Sequence, residues 1–159
     1  MRTWLISVPF LFSAAATHAE ELKNWFNDPF FQVRHALPAC PAPLGPLVPE
    51  SKRNAEAHYR VERGNSCYLA GKCRLSNSYL YDPEIARAVE KAFADSPGFA
   101  DTSLWITVQR RFVMVEGCVA HADDGKRLEA LIEPLPDVER VIVEVSKPGD
   151  VKPPYALAP

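Results

Sequence analysis

Leu104, Ile106 and Val108 alternate with Trp105, Thr107 and Gln109, and beyond two arginines Val113, Val115 and Val119 alternate around Gly117. After a polar break, Val141, Val143 and Val145 repeat the pattern. Period-2 spacing of β-branched residues predicts three strands, each with one face on a core. Asp82-Pro83-Glu84 predicts a helix start, with Asp as N-cap, Pro at the first helical position and Glu near the positive helix end. Ile85, Val89 and Phe93 follow at four-residue spacing, with Ala92 between, and define one buried stripe; Ser96-Pro97-Gly98 ends it. A second helix is expected from about Asp123 to Glu133, with Leu128, Leu131 and Ile132 inward and Pro134 opposing continuation. The order is that of an α+β fold: an αββαβ module with a three-stranded sheet and two helices on one face.

Upstream, residues 20–81 read as an aromatic, Pro- and Cys-containing N-terminal extension. Trp25, Phe26, Phe30 and Phe31 are split by Asn27-Asp28-Pro29, which opposes one long helix. Their rings are expected to pack onto the domain, since large exposed apolar patches are uncommon. Five prolines between Pro38 and Pro49 predict a stiff, extended connector. His58-Tyr59-Arg60-Val61 reads as a short strand, and Gly64-Asn65-Ser66 and Ala70-Gly71-Lys72 read as turns, with Tyr68, Tyr79 and Tyr81 packing nearby. Residues 147–159, with Pro148, Pro153, Pro154 and Pro159, read as a disordered or extended tail.

The first 19 residues have the order of a secretory signal: Arg2, the apolar run from Trp4 to Phe12, then Thr17-His18-Ala19. That run is too short to span a bilayer, and no later stretch is apolar enough to do so. A periplasmic or secreted location follows as the expectation. The formal net charge is −2, and residues 82–146 carry 7 basic and 13 acidic side chains. No broad cationic field exists to attract nucleic acid.

An exported chain with four cysteines favours disulfides over metal binding or free thiols. Three pairings are open. A local Cys67–Cys73 bond is preferred, because Gly71 lies in the short intervening turn and closing such a loop costs little. That leaves Cys40 with Cys118. A zinc site is the competing reading, with His58 or His121 as further ligands, but five residues between Cys67 and Cys73 exceed the usual ligand spacing.

Ile106-x-Val108, Val113-x-Val115-Glu116-Gly117-x-Val119, the helix, and Leu135-Pro136-Asp137-Val138-x-x-Val141 together resemble the BON domain family, over about residues 82–146. The resemblance implies an envelope-associated module that binds membranes, cell-wall components or proteins, with no catalytic motif to transfer. Gly117 lies among the inward-facing positions, so it permits close approach of a helix backbone or a bulge. Two positions depart from the family pattern. Arg110-Arg111 stands where members have a glycine near the hairpin turn, which implies a different or longer hairpin, and Asp137 stands where members have a loop glycine. The family often carries the module in tandem; this chain shows no second copy.

No nucleophile elbow, zinc-protease helix or phosphate-binding glycine loop is present, and His35, His58 and His121 lie in three different segments. His121 beside Asp123 and Asp124 suits a strand end next to a capped helix better than an acid–base set. No enzyme, cofactor or metal is expected. The better site candidate is the sheet face away from the helices, with Trp105, Thr107, Met114, Glu116, Cys118, Ile142 and Glu144. Trp105, Met114 and Ile142 are candidate binding residues there, and a Cys40–Cys118 bond would draw the extension across them. Arg110, Arg111 and the basic stretch Lys52 to Arg74 are the candidates to meet phosphate groups, although the Arg pair equally suits a solvated turn. Two functional readings result. One is an exported binding or adaptor module for a membrane, cell-wall or protein component of the envelope. The other is a structural or assembly subunit of an envelope or secretion complex, held by Trp25 to Phe31.

Overall fold

The computed structural model describes residues 20–150 and 152–159. The expected signal peptide, residues 1–19, lies outside them. In chain order the elements are β1 (Leu22–Lys23), β2 (Phe30–His35), β3 (Val48–Pro49), α1 (Glu50–Glu62), α2 (Asn65–Leu69), α3 (Asp82–Asp95), β4 (Ser103–Gln109), β5 (Phe112–Cys118), α4 (Asp124–Ile132) and β6 (Arg140–Ser146).

The alternating valines work as their spacing predicts. Leu104, Ile106, Val108, Val113 and Val115 are fully buried against Ile85, Val89 and Phe93 of α3 and Leu128 and Ile132 of α4. β4 and β5 form an antiparallel hairpin, and β6 joins β5 in parallel after the α4 crossover. Val141, Val143 and Val145 are only half-buried, because β6 is the outermost strand on that side.

The sheet has four strands, not three, in the order β2-β4-β5-β6. β2 comes from the extension and pairs antiparallel with β4. In a three-stranded sheet β4 would present an unpaired edge; β2 covers it and adds Phe31 and Val33 to the core. Arg34 then reaches across to α3, donating to the carbonyl oxygens of Phe93 and Ser96, where the helix ends with unsatisfied acceptors. A register shift between Gln32 and Arg34 breaks the alternation, which hides this strand in the sequence.

His58–Val61 is not a strand but part of α1. α1 has no fully buried residue, so no apolar stripe announces it. α2 occupies the expected Gly64-Asn65-Ser66 turn, entered from Gly64 at φ +98. The aromatic segment folds inward as expected: the Trp25 indole Nε1–H donates to the Val48 carbonyl at 2.8 Å, and Phe31 packs on the core.

Both disulfides follow the favoured pairing, Cys40–Cys118 and Cys67–Cys73. The tail is extended and docked rather than disordered. Pro43 and Leu157 form an isolated antiparallel bridge, and Tyr155 is buried with its hydroxyl donating to the Pro41 carbonyl at 3.0 Å.

Gly117 lies at φ +140, opposite Leu104, and a Cβ there would stand 2.1 Å from the Ser103 carbonyl oxygen. The close approach is therefore made by the neighbouring strand, not by a helix. Gly117→Ala is expected to destabilise by about 2–4 kcal/mol, from steric overlap plus an unfavourable φ. Urea denaturation checks this; an unchanged midpoint contradicts the register.

Candidate functional site

Pairing across the sheet sorts the outer face into rows. Trp105, Glu116 and Glu144 align in one, and Thr107, Met114 and Ile142 in the next. Thr107 and Cys118 are buried, whereas Trp105, Met114, Glu116, Ile142 and Glu144 are half-buried. At the Cys118 end the face is covered by Cys40 and by Tyr155, whose hydroxyl lies 3.7 Å from the Cys40 sulfur and 4.0 Å from that of Cys118. The extension and the tail thus cover the Cys118 end of the face together.

Burial, with the Glu144 carboxylate beside it, pushes the Glu116 carboxyl up to about 7. Both acids lie on the same row of adjacent parallel strands, so the charge of one opposes ionisation of the other. The folded chain therefore binds more protons here than the unfolded chain between about pH 4.5 and 7. Stability from this group is full at the acid end of that window and is lost as pH rises through it. Glu116→Gln is expected to raise stability at pH 7.5 by about 1–3 kcal/mol, to leave it nearly unchanged at pH 5, and to flatten the slope between them. Urea melts at the two pH values test this; an unaltered slope contradicts it.

Arg110 and Arg111 form a two-residue turn, not a longer hairpin. Both have positive φ, +50 and +70, the geometry of a type I′ turn. Asp82 holds it. Its carboxylate, 2% exposed, accepts the backbone N–H of Arg110 at 2.7 Å and of Arg111 at 2.8 Å. It does not cap its own helix. Burial raises its pKa to about 6 against the lowering effect of these two bonds. The arginine side chains are engaged as well. Arg110 donates to the Tyr59 hydroxyl at 2.6 Å and lies over Phe112, and Arg111 donates to the Asp137 carbonyl at 2.8 Å and pairs with Glu139. The turn therefore clamps the extension to the domain.

A different surface carries exposed apolar side chains. Val61 is 69% exposed, Leu69 83% and Leu80 56%, with Tyr59 and Tyr68 also exposed. All five lie in residues 59–80, on α1, α2 and the 3-10 turn Ser78–Tyr81. Val61 and Leu80 line a shallow groove with Phe26 and Tyr79. Lys52, Arg53, Lys72 and Arg74 are exposed in the same stretch, and residues 50–74 hold six Lys or Arg against three Glu. The basic residues are legible in the sequence. The apolar ones are not, because they are isolated and α1 lacks a helical stripe.

This layer is fixed to the sheet at one buried point. Arg60 binds Asp28 through both terminal guanidinium nitrogens, at 2.6 and 2.5 Å, and lies between Phe26 and Tyr79. Gln109, at the end of β4, donates to the same carboxylate. α2 is stapled by the Cys67–Cys73 bond.

Residues 81–146 match the family model described as the BON domain. The chain carries a single BON domain. The match spans the 3-10 turn's last residue, both core helices and β4, β5 and β6. No curated protein and no solved structure matches the chain. The family is one of non-catalytic binding domains of membranes and the cell envelope.

Within the BON domain, both departures from the family's glycines are accommodated. The Arg110-Arg111 turn is held by Asp82, and Asp137 adopts φ +64 with its carboxylate bound by Arg74 at 3.0 Å. His121 pairs with Asp101 at 2.9 Å, and its backbone N–H donates to the buried Asp124, which also pairs with Arg127; no aspartate side chain caps α4. Among the described residues no group of three or more His, Cys, Asp or Glu is placed to hold a metal ion.

Proposed function

We propose that the protein is an exported, non-enzymatic module of the bacterial cell envelope that docks on an anionic membrane surface from the periplasm. The docking surface is the α1–α2 layer, with Val61, Tyr68, Leu69 and Leu80 entering the interface and Lys52, Arg53 and Lys72 meeting lipid phosphates. The observation that carries this reading is that, among the described residues, the exposed large apolar side chains are confined to 59–80, apart from Leu157. Apolar tips framed by Lys and Arg are what an interfacial segment needs, since burial and headgroup attraction add. The acidic BON domain, with 13 acidic against 7 basic residues over 82–146, would then face away from the lipid.

Co-sedimentation with vesicles tests the proposal. Binding to phosphatidylglycerol-containing vesicles is expected, with weak binding to pure phosphatidylcholine. Leu69→Glu and Leu80→Glu are each expected to weaken binding at least about tenfold, because each removes a side chain worth roughly 1.5–3 kcal/mol of burial. Absence of binding, or variants that bind as well as the parent, overturns it. A structural or assembly role is favoured by one observation, the outer edge of β6, which no strand among the described residues pairs with.

A further inference from the structure

The two edges of the sheet are built differently. β2 carries a register shift between Gln32 and Arg34, a device that discourages further pairing. β6 has none: its seven residues pair with β5 in unbroken register, and it contains no proline, no glycine and no lysine. Its outer side faces away from β5, and among the described residues no other strand pairs with it. Every second residue of such a strand turns its N–H and C=O outward, without a ladder partner. Four of its inner five residues are Val, Ile or Val again, and Val141 through Val145 are all half-exposed. A groove lined by Glu129 and Glu133 of α4 and by Arg140 to Ile142 runs beside it, so the edge is open to approach.

The sequence of this edge is self-complementary. Arg140-Val141-Ile142-Val143-Glu144, paired antiparallel with itself about Ile142, sets Arg140 opposite Glu144, Val141 opposite Val143 and Ile142 opposite Ile142. Both charges lie on the outer sheet face, as does Ile142, and both valines lie on the helix side. A shift of the centre by one residue loses this match. Centring on Val143 puts Glu144 opposite Ile142, and centring on Val141 puts Arg140 opposite Ile142. Among the described residues, Arg140 and Glu144 make no ion pair within the chain, whereas the adjacent Glu139 is taken by Arg63 and Arg111. Glu144 also stands beside half-buried Glu116, two carboxylates with no cation on their row.

We propose that two copies of this chain associate edge to edge through antiparallel β6 strands centred on Ile142, joining their sheets into one of eight strands about a two-fold axis. The occupant of the edge is a second copy because both halves of the charge match lie on one strand, as an isologous contact requires. In the dimer, Arg140 of the second copy neutralises the Glu144–Glu116 row. The contact uses one short strand per copy, so the dimer dissociates on dilution and weakens with salt. The inference goes beyond membrane docking, and the α1–α2 layer takes no part in it.

Sedimentation velocity of the full mature chain, disulfides intact, over a wide concentration range is the test. The parent is expected to show a concentration-dependent monomer–dimer equilibrium. Arg140→Glu and Glu144→Arg are each expected to weaken it at least about tenfold, since each places like charges opposite one another. The double swap, Arg140→Glu with Glu144→Arg, restores it, because the edge is again self-complementary. Circular dichroism confirms that each variant is folded, and either single reversal serves if the other is not. Ile142→Cys is expected to cross-link two chains on oxidation, while Arg140→Cys is not, its counterpart lying about 14 Å away along the strands. A monomer at every concentration, a dimer indifferent to the reversals, or cross-linking through Arg140→Cys in place of Ile142→Cys overturns the proposal. Vesicle binding by a strictly monomeric parent would leave the membrane reading standing while removing this one.

Discussion

Arg60→Met is expected to cost about 3–5 kcal/mol of stability, the usual penalty for leaving one member of a buried ion pair without its partner. The Arg60 and Asp28 side chains are 11% and 5% exposed. Asp28 would retain the Gln109 amide and the Asn24 side chain's contact with its backbone, but no cation. The loss also removes the guanidinium from between Phe26 and Tyr79, where it supports the wall of the Val61–Leu80 groove. Asp28→Asn combined with Arg60→Met should recover part of the loss, since the uncompensated charge is gone. Chemical denaturation of the single and double variants measures both effects. A single variant as stable as the parent would show that α1 is anchored elsewhere. The same variant is expected to bind vesicles more weakly, because α1 presents Tyr59 and Val61.

Removing the Cys40–Cys118 bond is the second large effect. The two residues are 78 positions apart, so chain-entropy reasoning assigns about 4 kcal/mol to the cross-link. The Cys67–Cys73 pair, 6 positions apart, is worth only about 2 kcal/mol on the same basis. Cys40→Ser with Cys118→Ser should therefore lower the urea midpoint well beyond Cys67→Ser with Cys73→Ser. It should also free the tail. Tyr155 packs on the two sulfurs and on the Pro41 carbonyl, and Leu44 donates to the Ala156 carbonyl at 2.7 Å. Amide exchange near Ala156 and Ala158 is expected to speed up in the first double variant and not in the second. Equal destabilisation by both pairs would contradict the long-loop argument.

The BON core was legible because its periodicity is strict. Strands of alternating valine and a helix with Ile85, Val89 and Phe93 on one side bury one face each, and burial of that face decides the fold whatever lies outside it. The disulfides were legible by elimination once a local loop was granted. β2 was not, because Arg34 and a register shift interrupt its alternation, and what makes it a strand is the open edge of β4, a fact of the assembled sheet. α1 reads as a strand at His58–Val61 in the sequence because it buries no full stripe. Its inward residue is Arg60, whose value depends on an aspartate 32 positions earlier.

The candidate site divides the same way. The parity of Trp105, Met114 and Ile142 follows from strand alternation, and so does their placement on one face. The cover at the Cys118 end of that face depends on where the tail and the Pro-rich connector run, which no local pattern encodes. Asp82 is legible as a helix-start residue, yet its carboxylate serves the Arg110-Arg111 turn 28 positions away. The sequence by itself determined the core, its register and the opposite faces of the sheet, since these follow from side-chain period and apolar burial, which are local properties of the chain. Only the tertiary structure decided the fourth strand, the buried Arg60–Asp28 clamp, the apolar α1–α2 surface and the free β6 edge. Each of these depends on which distant groups are brought together and which are left without a partner, and that is settled only when the whole chain is packed.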